Sequence, residues 1–482
     1  MKDILFEKLK GICGQFVTKD PKILEDYSSD FSFVPPRRPS FVAFPETTSE
    51  VKKIVEIAND DRIPVIPKSS GMGFQGGAIP SEGGIVLDLR RMNQILEIDE
   101  RNRMARIGPG VKYSQLKGAL EEYNLMGLNP LLPHCSRSVL TSHLERDPML
   151  IPKFEYGDPV LTMEIVLPTG KIFRTGSAAA TGSPDETVAD LVGPHGPGLD
   201  FNKIFQCAQG TFGIVTWMSI KVESVPKIQK LYFIPFDTLD DAIGPVYRIQ
   251  RLMLGNECFM LNCTFLASIL SQGKSDRFES LEKDISPWTL LLCIAGGDRR
   301  PEEKIEYEEE VLKGIGLEFH LKLSNTIQGG QGGETWIEEI LRKPWPEALP
   351  YWRFAGKGGC RVISFHTTFD RISQIHSAVF ERFHIPSEKM GCYIQPIERA
   401  RACYMEYGIS YNPSDPKEME ETKNLEVLLN EFLYQQGGFF TRPYGIQAEI
   451  VYGRNAAYAA TLKELKQIFD PNHIMNPGKL CF

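Results

Sequence analysis

The most informative part of the sequence is the glycine-rich segment PKSSGMGFQGG, residues 67–77. Its central part, residues 71–76 (GMGFQG), has the G-x-G-x-x-G spacing of a dinucleotide-binding loop. In that motif a helix follows the loop directly, and the N-terminus of the helix holds the pyrophosphate. Here Pro80 and the glycine pair 83–84 follow, so no helix can start and continue, and the apolar run 85–89 predicts a strand instead. The sequence therefore excludes a Rossmann fold and leaves two readings, an anion-binding nest of backbone N–H groups or an ordinary turn.

The segments on either side of the loop predict a mixture of short helices and strands. Thr47 and Glu50 have the spacing of a helix capping box, and apolar residues at positions 51, 54, 55 and 58 follow at helical spacing. The predicted strands are 63–67, 85–89 and 103–107, with a hairpin at 161–173. Residues 40–222 therefore read as a β/α mixture.

The pattern changes twice later in the chain. Between about residues 225 and 440 polar helices alternate with strands, and a compact pattern then returns and ends at the helix-stopping pair Asp470-Pro471. These changes predict three segments, residues 1–225, 226–440 and 441–482. The glycine-rich run 329–333 reads as a linker turn or, alternatively, as a lid.

Composition and charge exclude several classes of protein. The chain has 482 residues, with 54 basic and 62 acidic side chains and a formal net charge of −8. A net negative chain repels phosphates unless it builds a local basic patch, which argues against a nucleic-acid binder. No apolar run approaches the roughly 18 residues that span a bilayer, and the N-terminus lacks the apolar core of a signal peptide. The ten cysteines include no C-x-x-C pair, so the sequence predicts reduced thiols, a cytoplasmic location and no metal site.

Four stretches, in order, resemble the FAD-binding oxidoreductase family of vanillyl-alcohol oxidase and p-cresol methylhydroxylase. They are residues 67–93, 108–111 (GPGV), 209–216 (QGTFGIVT) and 470–480 (DPNHIMNPGKL). The resemblance implies an α+β fold, with a PCMH-type FAD-binding domain of two α/β subdomains and an antiparallel-sheet α+β cap domain. In that arrangement residues 1–225 begin the FAD-binding domain, 226–440 form the cap that selects the substrate, and 441–482 complete the FAD site.

The resemblance also implies which residues contact FAD. These are Pro67, Ser69, Ser70, Gly71, Met72, Gly73, Phe74, Gln75, Gly76, Ser142, Gly213, Ile214, Val215, Arg454, Asn476 and Lys479.

Three residues are implied for catalysis. Arg454, in Tyr452-Gly453-Arg454, stands where the family has an arginine at the flavin edge, and a cation there stabilises the reduced flavin. Lys479 is a second candidate for that cation, and a surface ion pair is the alternative role for Arg454. Glu145 stands where phenol-oxidising members have an acidic residue followed by arginine, and His143 is an alternative base. A structural hydrogen-bonding role remains open for both.

The chain departs from the family at several positions. Gly73 and Phe74 leave no histidine in the loop to tether the flavin, and Gly453 replaces the tyrosine that precedes the flavin-edge arginine in phenol oxidisers. FAD is therefore expected to bind non-covalently, with a tyrosyl link through Tyr404 as an alternative. The His-rich metal segment of the branch that oxidises D-2-hydroxy acids has no counterpart here.

The resemblance implies an FAD-dependent oxidoreductase that moves a hydride from a small alcohol or phenolic side chain to flavin N5. The alternatives are a D-2-hydroxy-acid dehydrogenase of the lactate or glycolate type, or a flavin subunit of a larger redox complex that passes electrons to a protein acceptor. Arg353, Arg361 and Arg442 are candidates to hold a substrate carboxylate. An electron-transfer protein and a second copy of the chain are the candidate partners.

Overall fold

A small, largely parallel sheet carries the glycine loop. The computed structural model describes residues 2–70, 72–150, 159–180, 193–386 and 389–482. The first subdomain consists of α1 (Lys2–Cys13), β1 (Val17–Thr18), α2 (Pro21–Asp26), β2 (Phe41–Ala43), α3 (Thr48–Asp60), β3 (Val65–Lys68) and β4 (Ile85–Asp88). Its strands lie in the order β1-β2-β4-β3, with β2, β4 and β3 parallel and β1 antiparallel to β2. As predicted, the glycine loop follows β3, and β4 is the next regular element.

Helix α3 begins at the predicted capping box. The Thr47 hydroxyl accepts a hydrogen bond from the Glu50 backbone N–H at 3.2 Å, while the Glu50 carboxylate accepts one from the Glu46 N–H at 2.7 Å. The apolar face of the helix is buried in the first subdomain; it consists of Val51, Ile54, Val55 and Ala58. Burial of this face and satisfaction of the end N–H groups together explain why the helix forms here.

The second subdomain is built on an antiparallel sheet. Its elements are β5 (Ile95–Asp99), β6 (Met104–Ile107), α4 (Tyr113–Glu121), β7 (Leu125–Gly127), α5 (Val139–Leu144), β8 (Val160–Val166), β9 (Ile172–Arg174), α6 (Asn202–Phe205) and β10 (Ile214–Ser224). The strand order is β5-β6-β10-β8-β9, and β7 also pairs with β10. The predicted hairpin is β8–β9.

The cap has a larger antiparallel sheet that helices cover on both faces. Its elements are β11 (Ile228–Phe236), α7 (Leu239–Arg251), β12 (Glu257–Asn262), α8 (Cys263–Ser271), α9 (Ser275–Asp284), β13 (Trp288–Gly296), α10 (Pro301–Glu318), α11 (Gly333–Ile340), β14 (Gly359–Thr367), α12 (Ile372–Phe383), β15 (Met390–Ile397), β16 (Ala402–Tyr411) and α13 (Pro416–Gln435). The strand order is β11-β13-β12-β15-β16-β14. Alternate residues enter different cores: Ile234 belongs to the core that also contains residues of α7, α10, α12 and α13, whereas Phe233 belongs to the core that contains residues of α8, α9 and α11. Strands buried on both faces read as continuous apolar runs, which accounts for the apolar sequence of β13.

The C-terminal segment returns to the first subdomain. After α14 (Ile446–Arg454) and α15 (Ala456–Phe469), the chain runs beside β3, where the Val65 N–H donates to the Ile474 carbonyl at 2.7 Å. The buried Lys466 ammonium fixes this return by donating to the Thr211 carbonyl and to Asp470, both at 2.6 Å. Strands β10 and β11 belong to different sheets. The domain boundary after residue 225 stays a prediction. Short 3-10 helices lie at Leu89–Arg91, Gly176–Ala180, Trp352–Phe354 and Phe369–Arg371.

Two predicted helix faces and one predicted loop need adjustment. The helical spacing of Leu116, Ala119, Leu120 and Tyr123 predicts one apolar face, but Tyr123 lies beyond the end of α4 and is exposed. The spacing of Leu462, Leu465, Ile468 and Phe469 predicts another, but Ile468 is 76% exposed. The glycine-rich run 329–333, expected to be a linker turn or a lid, packs closely against the rest of the cap. A Cβ on Gly329 would lie 1.8 Å from the Asp284 carbonyl oxygen. Within the described ranges, no helix has the length and apolar character needed to cross a bilayer.

Candidate active site

A cavity opens where the two subdomains, the cap and the C-terminal segment meet. Its volume, counted with its open mouth, is about 1830 Å³. The glycine loop forms one wall, the start of β10 and helix α5 form a second, and the cap strands β14, β15 and β16 form a third. Eleven predicted site residues line it: Pro67, Ser69, Ser70, Met72, Gly73, Phe74, Gln75, Glu145, Gly213, Ile214 and Val215. Gly71 lies outside the described residues.

Three further residues that were predicted to contact FAD do not line the cavity, and their contacts hold the shape of the loop. The Lys479 ammonium donates to the Gly76 carbonyl at 2.9 Å, and the Asn476 amide donates to the Gly77 carbonyl at 3.0 Å. The Gly76 N–H donates to the Asp30 carboxylate at 2.9 Å. These contacts give Gly76, Asn476 and Lys479 a supporting role in the loop, although the Asn476 Oδ1 atom is buried without a hydrogen-bond partner. Direct contact of these residues with FAD stays a prediction.

The cavity wall fits an extended, negatively charged dinucleotide. Among the described residues, the backbone N–H groups of Gly73, Phe74 and Gln75 have no protein acceptor, so this wall presents unpaired donors. Lys68 also lines the cavity, with its ammonium 4.4 Å from the centre of a tyrosine ring, and burial lowers its pKa. Gly210 has a φ of +71°, and a Cβ there would lie 2.4 Å from Pro67, so only glycine lets the two walls approach this closely. These residues would hold the pyrophosphate of FAD.

Glu145 faces the cavity from the end of α5. Its side chain is buried, and the Tyr444 hydroxyl donates a hydrogen bond to its carboxylate. Burial raises the pKa of Glu145, whereas the Tyr444 hydrogen bond and the nearby Arg442 oppose that rise. A buried carboxyl with a raised pKa in a cavity is a candidate for proton transfer.

Two arginines share one carboxylate beside Glu145. Arg137 donates to Asp147 at 2.6 Å, and Arg442 forms an ion pair with the other oxygen of Asp147. Burial alone would raise the pKa of Asp147, but the two guanidinium groups hold it below its usual value. The cluster of Arg137, Asp147 and Arg442 therefore carries one net positive charge at the cavity wall.

The cap contributes an aromatic wall whose charges are balanced. The Tyr404 hydroxyl donates to Glu406 at 2.6 Å, and Arg353 forms an ion pair with the other oxygen of that carboxylate. The Arg353 guanidinium also stacks on Trp352, 4.3 Å from the ring centre. Tyr393 and Tyr404 both line the cavity, and burial raises the pKa of both phenols. This wall consequently favours aromatic or apolar groups over a second anion.

Arg454 does not line the cavity. It ends helix α14, its side chain is 41% exposed, and it pairs with Glu431 while lying over the Tyr434 ring. This placement does not fit the predicted role at the flavin edge and agrees with the alternative, a surface ion pair. The sequence reading assumed that Arg454 follows a cap strand, but residues 446–454 are helical and turn the side chain outwards. Arg442 is the cation of the C-terminal segment that reaches the cavity.

His143 and Ser142 are buried behind the cavity wall. The His143 Nδ1 atom pairs with the Val139 carbonyl at 2.9 Å, and burial lowers its pKa to about 4. The Ser142 hydroxyl accepts a hydrogen bond from Arg137 at 2.8 Å. Neither residue reaches the cavity, so the base role predicted for His143 and the FAD contact predicted for Ser142 do not fit their placements.

Sequence reasoning missed several residues of the site. Arg137, Asp147 and Tyr444 line the cavity but belong to no motif that was recognised. The signal available in the sequence was proximity to predicted site residues, because Asp147 follows Glu145 by two residues and Tyr444 follows Arg442 by two. Among the described residues, no group of three or more His, Cys, Asp or Glu side chains could hold a metal ion.

Comparisons with known proteins identify the class. A family model described as an FAD binding domain matches residues 39–176, and a model of the C-terminal domain of FAD linked oxidases matches residues 444–480. The glycolate oxidase subunit GlcD of Bacillus subtilis is 33% identical over 480 residues, covering 92% of this chain and 89% of the relative.

Solved structures show the same fold. A 4-ethylphenol oxidase from Gulosibacter chungangensis superposes with a TM-score of 0.85 at 20% identity, covering 99% of this chain and 96% of its own. Substrate-bound p-cresol methylhydroxylase superposes with a TM-score of 0.84 at 18% identity, covering 100% and 96%. The chain therefore has the fold of p-cresol methylhydroxylase, and the family models identify FAD as its cofactor. The chain belongs to the family of FAD-linked oxidases, and it is an FAD-linked oxidoreductase.

Proposed function

We propose that this oxidoreductase removes a hydride from a small alcohol or a phenolic side chain, with Glu145 as the proton acceptor. When bound, FAD supplies the hydride acceptor at N5. As the C–H bond of the substrate gives up its hydride, the substrate hydroxyl loses its proton to a Glu145 carboxylate oxygen. The products are then an oxidised substrate, a reduced cofactor and a protonated Glu145.

The observation that carries this proposal is the Glu145–Tyr444 pair at the cavity wall. Tyr444 donates to one oxygen of Glu145, which orients the carboxylate and leaves its remaining lone pairs for a substrate hydroxyl. Burial raises the pKa of Glu145, and a base whose pKa is nearer to neutrality accepts a proton more effectively. No other carboxyl named in the cavity wall combines these properties, because Asp147 and Glu406 are each held by arginine.

Arg442 is proposed in place of Arg454 as the cation that stabilises the reduced flavin. Arg442 shares Asp147 with Arg137, and the cluster keeps one net positive charge beside the cavity. A fixed cation in a buried site stabilises developing negative charge without the cost of reorienting water.

A second candidate is a D-2-hydroxy-acid dehydrogenase of the glycolate or lactate type. The same net positive charge would hold a substrate carboxylate, and the relative with 33% identity is a glycolate oxidase subunit. The other two arginines considered for a carboxylate are engaged, since Arg353 pairs with Glu406 and Arg361 pairs with Glu426. Arg442 is thus the one of the three arginines proposed to bind a substrate carboxylate. The aromatic cap wall supports an alcohol or phenol as the substrate more directly than a hydroxy acid.

A substrate screen separates these candidates. The purified holoprotein is mixed anaerobically with phenolic alcohols, simple alcohols, D-lactate and glycolate, and the loss of flavin absorbance is followed. The proposal expects bleaching by an alcohol or phenol, and bleaching by the hydroxy acids alone would favour the second candidate. In that case Arg442→Met would raise KM for the acid far more than the control Lys357→Met, which breaks an exposed pair with Glu418.

Partners and location stay predictions. Bleaching by a substrate without turnover in air would support an electron-transfer protein as the acceptor. No bleaching by any of these substrates from a chain that holds FAD would support a flavin subunit of a larger redox complex. A cytoplasmic location and a homodimer are proposed on the sequence alone, and cell fractionation and light scattering test them.

A further inference from the structure

The conformation of the glycine loop is held by contacts from other parts of the chain, which we call the clamp. These contacts are needed because the regular element after the loop is strand β4 and not a helix. In a Rossmann fold the helix after the loop fixes the loop's conformation and supplies the N-terminal donors. Here the loop runs from β3 to β4 without a helix, so the direction of each N–H group depends on contacts from other parts of the chain.

Two peptide groups of the loop show how the clamp works. In a trans peptide the C=O and N–H bonds point in opposite directions, so a donor that holds the carbonyl also aims the N–H that follows it. The Gly73 carbonyl accepts from the Phe31 N–H at 3.0 Å, which aims the Phe74 N–H away from the N-terminal segment. The Phe74 carbonyl accepts from the Arg361 guanidinium, which aims the Gln75 N–H away from the cap. Both N–H groups are among the unpaired donors of the cavity wall.

Arg361 belongs to the cap, not to the FAD-binding domain. It lies on β14, is only 7% exposed, and also donates to the Gln75 side-chain oxygen at 3.2 Å. Glu426 of α13, equally buried, pairs with the same guanidinium and fixes its position. The Gln75 amide returns a contact at 3.5 Å to the carbonyl of Val362, next to Arg361 on β14.

We propose that Arg361 is a positioning residue for FAD: from the cap, and held by Glu426, it sets the orientation of the 74–75 peptide that binds the cofactor. The cap then has a second task besides covering the substrate, since cofactor affinity depends on one of its buried ion pairs. The contact requires a planar fork that reaches a carbonyl, an amide oxygen and a carboxylate together, so charge alone does not replace it. The inference rests on FAD binding and is independent of which substrate the enzyme oxidises.

The test compares variants at this pair with a matched control. Arg361→Lys keeps the charge and loses the fork, and Arg361→Met loses both. Because Arg361→Met leaves Glu426 buried without a partner, the double variant Arg361→Met/Glu426→Leu removes both charges and guards against misfolding. The control is Lys357→Met, which breaks an exposed ion pair between the residue two positions before β14 and Glu418 of the same helix, α13.

Four quantities are measured for each variant: the flavin-to-protein ratio after purification, the FAD dissociation constant of the apoprotein, the melting temperature of the apoprotein, and kcat at saturating FAD. We expect Arg361→Lys and the double variant each to raise the dissociation constant about tenfold or more, the loss associated with hydrogen bonds to a charged group. The melting temperature of the Arg361→Lys apoprotein should stay close to that of wild type, and the control Lys357→Met should match wild type in all four quantities.

Two results would overturn the inference. If Arg361→Lys binds FAD as tightly as wild type, charge alone is sufficient and the fork positions nothing. If Lys357→Met weakens FAD binding as much as the Arg361 variants do, the effect reflects a generally loosened cap. A flavin that resists extraction is handled by the flavin-to-protein ratio, which should fall in the Arg361 variants and not in the control.

Discussion

Replacing Glu145 with glutamine is the sharpest test of the proposed chemistry. The glutamine oxygen still accepts the hydrogen bond from Tyr444, so the shape of the site is kept, but the amide cannot take a proton. General-base catalysis is worth about 10²–10⁴-fold in rate. We therefore expect the rate of flavin bleaching at saturating substrate to fall by that factor, equivalent to about 3–5 kcal/mol in the activation free energy. The FAD dissociation constant should not change.

The pH profile gives an independent reading of the same group. Burial raises the pKa of Glu145 above its usual value of 4.5, and the base must be ionised to act. Activity should therefore fall as the pH drops through the raised pKa, on a limb that lies above pH 4.5. Tyr444→Phe removes a hydrogen bond that lowers this pKa, so the limb should move to higher pH. The limb should be absent from the residual activity of Glu145→Gln.

The contribution of Glu145 to stability depends on pH in the opposite direction to its contribution to activity. A carboxyl whose pKa is raised in the folded protein favours folding below its unfolded pKa, and that contribution is lost as the pH rises through the folded pKa. Glu145→Gln should thus unfold at a higher temperature than wild type at neutral pH, with the difference vanishing in acid. Wild-type bleaching rates in Glu145→Gln, or an unmoved limb in Tyr444→Phe, would refute the assignment of Glu145 as the base.

Further predictions concern the C-terminal segment, the start of helix α3 and the attachment of the cofactor. Lys466→Met leaves Asp470 buried without its partner and should cost about 3–5 kcal/mol in the free energy of unfolding by urea, whereas a loss below about 1 kcal/mol would contradict a pinning role. Thr47→Ala removes the cap of α3 and should cost about 1 kcal/mol in the same assay, with Thr47→Ser as the control that retains it. Acid precipitation should leave the flavin in the supernatant, because the Tyr404 hydroxyl is engaged by Glu406; a yellow pellet would indicate a covalent link.

The parts of the fold that depend on local chemistry could be predicted from the sequence. Pro80 and Gly84 forbid a helix after the loop regardless of the rest of the chain, and a Cβ on Gly84 would lie 2.3 Å from the Pro64 carbonyl oxygen. The capping box of Thr47 and Glu50 marks the start of α3 because its hydrogen bonds span only three or four residues. Such signals need no knowledge of tertiary contacts.

The candidate site was predicted less completely, because its walls come from distant parts of the chain. The loop and the start of β10 carry recognisable motifs, so most residues assigned to FAD line the cavity. The choice between Arg442 and Arg454 depends on which way a helix turns its side chains, and the sequence around both positions is compatible with either. Asp147 is recognisable as the partner of Arg137 and Arg442 only once α5 and the C-terminal segment are packed together.

Because the clamp on the glycine loop comes from distant parts of the chain, we expect FAD binding to stabilise those parts as well as the loop. The loop is held by Asp30 from the N-terminal segment, by Arg361 from the cap and by Lys479 from the C-terminal end. A ligand that binds only the clamped conformation of the loop stabilises that conformation as a whole, together with the contacts that maintain it. The stabilisation is about 2.7 kcal/mol when the ligand concentration is 100 times the dissociation constant. FAD should accordingly protect the cap and the C-terminal segment together against proteolysis, although neither is adjacent to the loop in sequence. Reciprocally, weakening any one clamp should weaken FAD binding, because the same free energy couples the two equilibria.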